Sequence, residues 1–232
     1  MESKLSIILV HGFWGGAAHW NKVIVALLNK GYKNILAVEM PLTSLADDAE
    51  RTRKMIAQQE GPVLLVGHSY GGAVITQAGN EPNVVGLVYI AAFAPDEGES
   101  PGSITQQHLP AGASALKPDS DGYLWVIPEL YHENFCQDLT PTEGRVMGIT
   151  QKAPLASTFG QNISNPAWKH KPSYYQISTE DRMIAPENQE WMSGRLGAKK
   201  IIRLAASHAS LASMPVEVAG LIDEAAKDLN GA

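Results

Sequence analysis

Cysteine is nearly absent: the 232-residue chain has one, Cys136. An intramolecular disulfide and a thiolate metal cage are both excluded. No apolar run reaches the roughly 18 residues of a membrane-spanning helix, so no membrane span is expected. The opening, MESKLSIILVHG, has too short an apolar stretch for a signal peptide and runs straight into a strand-like segment. A soluble, cytoplasmic protein is the expectation. No basic cluster is present either. Acidic and basic residues are mixed along the chain, with a formal net charge of -6, so nucleic acid is not an expected partner. There is no H-E-x-x-H and no P-loop. The glycines around Gly15 lack both the G-x-G-x-x-G spacing and a following ribose-binding acid, so no metal or nucleotide enzyme is expected.

What remains is a globular composition, 44% hydrophobic and 18% charged, of a length that suits one domain. Short apolar runs alternate with stretches of helical period. LSIILV (5–10), NILAVEM, PVLLVGHS, VVGLVYIAAFA, SYYQIS and KKIIRLAA read as strands. Between them, AAHWNKVIVALLNKG places Trp20, Val23, Ile24, Leu27 and Leu28 on one helical face. SLADDAERTRKMIAQQ reads as a helix capped by Ser44, with acids in its first turn where the helix dipole favours them. GGAVITQAG, PENQEWMSGRLG and PVEVAGLIDEAAKDL complete the helices. Alternating β and α with continuously apolar strands predicts an α/β three-layer sandwich around a mainly parallel six-stranded sheet.

The stretch between the fourth and fifth strands differs. It holds eight of the fourteen prolines and no long apolar strand. A structureless loop of that length is improbable inside a compact domain, so residues 95–168 are expected to form an inserted, mostly helical cap on a core of 1–94 and 169–232. GYLWVIP (122–128) reads as extended, and PELYHENFCQDL and PTEGRVMGITQK as short helices, the second begun by Thr140 and Pro141. Insertions at the carboxyl ends of parallel strands lie over the place where open α/β sheets bind ligands.

LLVGHSYGGAV (64–74) supplies the chemistry. Gly67-His68-Ser69-Tyr70-Gly71 fits G-x-S-x-G, a weak pattern alone but here placed where a buried strand stops and a helix starts. The glycines make room for a strained turn that lifts the serine hydroxyl out of the sheet. Such a hydroxyl needs a base, and the base an orienting acid. Of seven histidines, His208 in IIRLAASHASL follows the last strand, on the same sheet edge as Ser69. His68 adjoins the serine, with its side chain expected to point elsewhere on the turn. Asp181, in YYQISTEDRMIAP beside Glu180, is the chosen acid, and Asp96 is the runner-up. An oxyanion hole needs two aimed N–H donors, assigned to Phe13 and Tyr70.

With these residues in place, ILVHGFWGGAAHW, LLVGHSYGGAV, YIAAFAPDEGES, STEDRMIAPENQEWM and SHASLASMP resemble the α/β-hydrolase fold. The likeness is to the plant methylesterase and hydroxynitrile-lyase-like branch, including its bacterial esterases. The resemblance implies a serine hydrolase with Ser69, Asp181 and His208 as triad, oxyanion donors at Phe13 and Tyr70, and no cofactor. It also implies that the first strand here corresponds to the family's third. The lyases of this branch carry Thr where Gly12 stands and Lys where Ala209 stands. Without that lysine a departing cyanide has no charge partner, so lyase activity is disfavoured. Tyr70 replaces the small or aliphatic residue usual after the serine.

The expected activity is cleavage of small, largely apolar carboxylic esters through an acyl-enzyme. Trp14, Trp125, Tyr131, Phe135 and Phe159, together with Phe13, are expected around the pocket. C–C hydrolases, lactonases and amidases use similar sites, and a non-catalytic small-ligand receptor can keep the fold, so these alternatives stay open. The expected partner is a small ester; a homodimer is compatible with the sequence.

Overall fold

The computed structural model describes residues 5–230. The chain runs through β1 (Ser6–Val10), α1 (Asn21–Asn29), β2 (Ile35–Val38), α2 (Leu45–Ala57), β3 (Val63–His68), α3 (Tyr70–Ala78) and β4 (Val84–Ile90). A long insertion follows, with α4 (Pro101–Thr105), β5 (Leu116–Pro118), β6 (Leu124–Val126), α5 (Pro128–Phe135) and α6 (Pro141–Thr150). The alternation then resumes with β7 (Ser173–Ser178), α7 (Pro186–Arg195), β8 (Lys200–Leu204), the short α8 (Ser210–Ser213) and α9 (Pro215–Asn230).

Six strands form one sheet in the order β2-β1-β3-β4-β7-β8, and every pairing in it is parallel. The expected fold is therefore present, with a sheet that is parallel throughout. Successive side chains of a strand point to opposite faces. Leu5, Ile7, Leu9, Leu64, Val66, Val88 and Ile90 pack with α1 and α9 residues such as Val23, Leu27, Val218 and Ile222. Ile8, Val10, Val63, Leu65, Leu87 and Tyr89 pack with α2, α3 and the insertion. Both faces are covered, which is why these strands read as continuous apolar runs rather than alternating ones.

The helix signals hold with small changes. Ser44 caps α2, its hydroxyl accepting from the Asp47 N–H at 3.0 Å. Thr140 and Glu143 form a reciprocal capping box at α6, with Pro141 in its first turn. Trp20 lies in a 3-10 turn ahead of α1, and Leu28 faces solvent instead of joining Val23 and Leu27.

The insertion joins short α- and 3-10 helices by stretches of loop and carries one antiparallel hairpin, β5–β6, of which only the second strand is read as extended from the sequence. Its two ends lie side by side. The Gly98 N–H donates to Ile163 O at 2.9 Å, and the Ile163 N–H to Glu99 O at 2.8 Å. Arg195 of α7 grips Glu99 with both terminal nitrogens at 2.7 and 2.8 Å and donates to Ala94 O. Its guanidinium lies 4.1 Å from the Trp191 ring and 5.7 Å from that of Trp168. Bidentate pairing and aromatic stacking make such a contact stiffer than a single surface ion pair.

Candidate active site

Strand order reverses between β1 and β3: the chain lays β2 on one side of β1 and β3 on the other. The loops leaving the carboxyl ends of β1 and β3 therefore part there and leave a crevice. One loop carries His11 to Trp14 and the other carries Ser69.

Ser69 has φ 56° and ψ −126°, a left-handed backbone that a residue with a side chain rarely adopts. The turn is held by the Ser69 N–H donating to Ile90 O and by Ser69 O accepting from Gly72 and Phe93 N–H groups. Close backbone packing explains the glycines. A Cβ on Gly67 would lie 2.5 Å from Gly71 O, and one on Gly71 would lie 2.3 Å from Val10 O and 2.6 Å from His11 O. Those are backbone atoms of α3, of β1 and of the loop that leaves β1, and backbone cannot swing aside as a side chain can. Gly71→Ala is thus expected to destabilise the protein by at least about 2 kcal/mol, read as a lower denaturation midpoint in urea.

Asp181 and His208 meet across the loops that follow β7 and β8. His208 Nδ1 donates to Asp181 Oδ2 at 2.7 Å, and both side chains are fully buried. The carboxylate is otherwise saturated. Oδ1 accepts from the Met183 and Ile184 N–H groups at 2.7 and 2.9 Å, and Oδ2 also accepts from Gln189 Nε2 at 2.8 Å. All the groups around this carboxylate are donors, so Nδ1 presents a proton to it, and in the neutral imidazole the lone pair is then on Nε2. Nε2 is buried and makes no hydrogen bond to Ser69 or to any other described residue. Asp96, the runner-up acid, is ion-paired with Lys169 at the surface. Glu180 is exposed.

The assigned oxyanion residues lie against each other. The Phe13 and Tyr70 rings stack with centroids 3.9 Å apart and planes 13° apart. Gly12 approaches the serine so closely that a Cβ there would lie 3.0 Å from Ser69 Oγ. Neither the Phe13 nor the Tyr70 N–H donates to a described residue. Trp14 follows at φ 58°, its indole donating to Leu124 O and its carbonyl accepting from the Tyr131 hydroxyl. Phe159 packs on Phe13 at 4.8 Å, Tyr131 stacks on Phe135 at 4.7 Å, and Phe135 stands edge-on to the His208 ring at 4.9 Å. Trp125 is not part of this cluster. In β6 it points opposite to buried Val126, is 38% exposed, and bonds Asp119. The two-residue period of the strand carries it outward.

The His68 side chain turns away from the serine and toward the loop of the base. Its ring lies 4.7 Å from that of His208, and its Nε2 donates to His208 O at 2.8 Å. Burial lowers its pKa well below the usual histidine value, keeping it neutral. Counting the strand period from Leu64 and Val66 would have placed it on that face. Two consecutive insertion residues also brace the loops of the pair: Gln137 donates to Glu180 O at 2.7 Å, and Asp138 accepts from the Ser207 N–H at 2.9 Å. No short-range pattern marks either residue. Among the described residues no group of three or more His, Cys, Asp or Glu side chains could hold a metal ion, and no helix is long and apolar enough to cross a membrane.

A parallel sheet of this order, with a sharp β3–α3 turn and an insertion after β4, is the architecture of the α/β hydrolases. Residues 7–221 match the model of the alpha/beta hydrolase family, and the chain belongs to that family. Among curated relatives it is similar to the alpha/beta hydrolase nvfD of Aspergillus novofumigatus, 28% identical over 96% of this chain and 97% of that one. It is also similar to methylesterase 2 of Arabidopsis thaliana, 23% identical over 88% of each. Among solved structures, a pyrethroid hydrolase from Sphingobium faniae superposes with a TM-score of 0.80 at 24% identity, covering 96% of this chain and 98% of that one. Polyneuridine aldehyde esterase superposes with a TM-score of 0.81 at 20% identity, covering 96% and 100%. Most of these relatives are named as hydrolases or esterases, as the resemblance implied.

Proposed function

We propose that the protein is a serine hydrolase that cleaves small, largely apolar carboxylic esters through an acyl-enzyme. The observation that carries this reading is the buried Asp181–His208 pair, whose uncommitted Nε2 lies on the sheet edge where Ser69 occupies a strained turn. His208 Nε2 takes the hydroxyl proton as Ser69 Oγ attacks the ester carbonyl. The carbonyl oxygen becomes an oxyanion held by the Phe13 and Tyr70 N–H groups. The C–O bond then breaks, the alcohol leaves with the proton from Nε2, and water repeats the sequence on the acyl group. Asp181 stabilises the imidazolium. Burial also lowers the pKa of His11 and lowers that of His19 to about 4, so the nearby histidines stay neutral and do not oppose the charge forming on His208.

Residues 95–168 act as the cap over this site in the same reading. Phe13, Trp14, Tyr131, Phe135 and Phe159 supply apolar walls, which suits short acyl groups and uncharged alcohols. Ala209 offers no cation for a departing cyanide, which favours ester hydrolysis over lyase chemistry. The esterase names of the relatives point the same way. The test is hydrolysis of p-nitrophenyl acetate, butyrate and decanoate, together with labelling by a fluorophosphonate and peptide mapping of the adduct. Turnover favouring the shorter esters and an adduct on Ser69 are expected. A folded protein that neither turns over nor labels would sink the proposal.

A further inference from the structure

Asp48 is a carboxylate with no exposed surface, buried in the first turn of α2. Its neighbour Asp47 is exposed and serves the cap of that helix. Asp48 instead falls on the buried stripe formed with Leu45, Ala49, Thr52 and Ile56. Two donors hold it. The Leu42 N–H donates to Oδ1 at 2.8 Å, and the Tyr70 hydroxyl donates to Oδ2 at 2.8 Å. Burial dominates its titration and raises its pKa to about 6, against the opposing pull of those two hydrogen bonds. Stability alone would be served as well or better by a neutral side chain there, since burying a charge costs more than one or two hydrogen bonds return.

The contact it makes suggests what that cost supports. Tyr70 is the first residue of α3 and follows Ser69; its ring stacks on Phe13. The side chains of the two residues whose N–H groups face the reacting oxygen thus form one stack, and Asp48 is its anchor. We infer that Asp48 is a positioning residue for the oxyanion hole, acting through the Tyr70 phenol and the Phe13–Tyr70 stack. This rests on the serine-hydrolase reading. Oxyanion donors work only within a narrow range of distance, so a shift of a few tenths of an ångström in the first turn of α3 weakens them in the transition state more than in the ground state.

The experiment compares wild type, Asp48→Ala, Tyr70→Phe and their double variant, with Asp48→Asn, whose amide can still donate to the Tyr70 oxygen, as the conservative replacement. Each is assayed with p-nitrophenyl acetate and with 1,1,1-trifluoro-4-phenylbutan-2-one, whose serine adduct places an oxyanion in the hole. Asp48→Ala and Tyr70→Phe are each expected to lose about tenfold in kcat and in affinity for the ketone, with KM nearly unchanged, whereas Asp48→Asn should keep most of both. The double variant should lose little more than either single one, because both act through one bond. Asp48→Asn should also raise Tm at pH 8 by about 2–4 °C, and by less at pH 5, where the native carboxyl is protonated. Melts of Asp48→Ala and Tyr70→Phe separate lost activity from lost folding. Unchanged kcat and ketone affinity in Asp48→Ala and Tyr70→Phe, or additive losses, would overturn the inference. Absence of labelling and turnover in wild type would instead overturn the serine-hydrolase reading beneath it.

Discussion

Ser69→Ala is expected to lower kcat by roughly 10⁶-fold, leaving only the residual acceleration that binding and the oxyanion donors provide. The loss is this large because no other hydroxyl can take its place. The turn at φ 56° presents one side chain to the crevice, and the residues on either side are committed: His68 to the His208 carbonyl and Tyr70 to Asp48. Stability should change by no more than about 0.5 kcal/mol, since alanine keeps the Cβ and the backbone bonds to Ile90, Gly72 and Phe93 do not involve the hydroxyl. The check is a progress curve on p-nitrophenyl acetate at high enzyme concentration beside a thermal melt. Retained turnover with loss of the fluorophosphonate adduct would place the chemistry elsewhere.

Asp181→Asn comes next in size, with an expected loss of about 10⁴ in kcat. All four neighbours of this carboxylate are donors: two backbone N–H groups, the Gln189 amide nitrogen and His208 Nδ1. An asparagine can accept through one oxygen only. If that oxygen stays with Met183 and Ile184, its amide faces two further donors. The available relief at His208 is to move the proton to Nε2, which then cannot receive one from Ser69. Stability should fall by about 1–3 kcal/mol for the donors left unpaired. A kcat within tenfold of wild type would show that Asp181 does not set the tautomer.

Much of this was legible before the fold was seen, and the exceptions have physical causes. The central strands declared themselves because both faces of the sheet are covered, so period 2 is hidden and the runs are simply apolar. Ser69, Asp181 and His208 could be assigned to one sheet edge because parallel strands deliver successive loops there. β5 escaped because a three-residue LKP strand with an exposed face carries no periodic signal. Trp125 was misplaced because an aromatic beside a cluster of aromatics reads as a wall, whereas its position in the pleat turns it out. Asp48 was read as a helix-dipole acid, yet its spacing from Leu45, Thr52 and Ile56 puts it on the apolar stripe. The braces at Gln137 and Asp138 depend on tertiary placement of the insertion and leave no local trace.

The side-by-side ends of the insertion bear on how this scaffold can be diversified. Because the chain departs at Gly98 and returns at Ile163 across paired backbone bonds, with Arg195 riveting Glu99 to the core, the intervening stretch resembles an interchangeable cassette. Its length can drift at small entropic cost, since closing a longer loop between fixed ends adds only about 0.6 kcal/mol per doubling. The freedom is limited where the stretch meets the core, at Trp14 and at the loops of the Asp181–His208 pair. A transplanted stretch must still offer a donor to Glu180 O and an acceptor to the Ser207 N–H, as Gln137 and Asp138 do, or the loops carrying Asp181 and His208 lose their outer support.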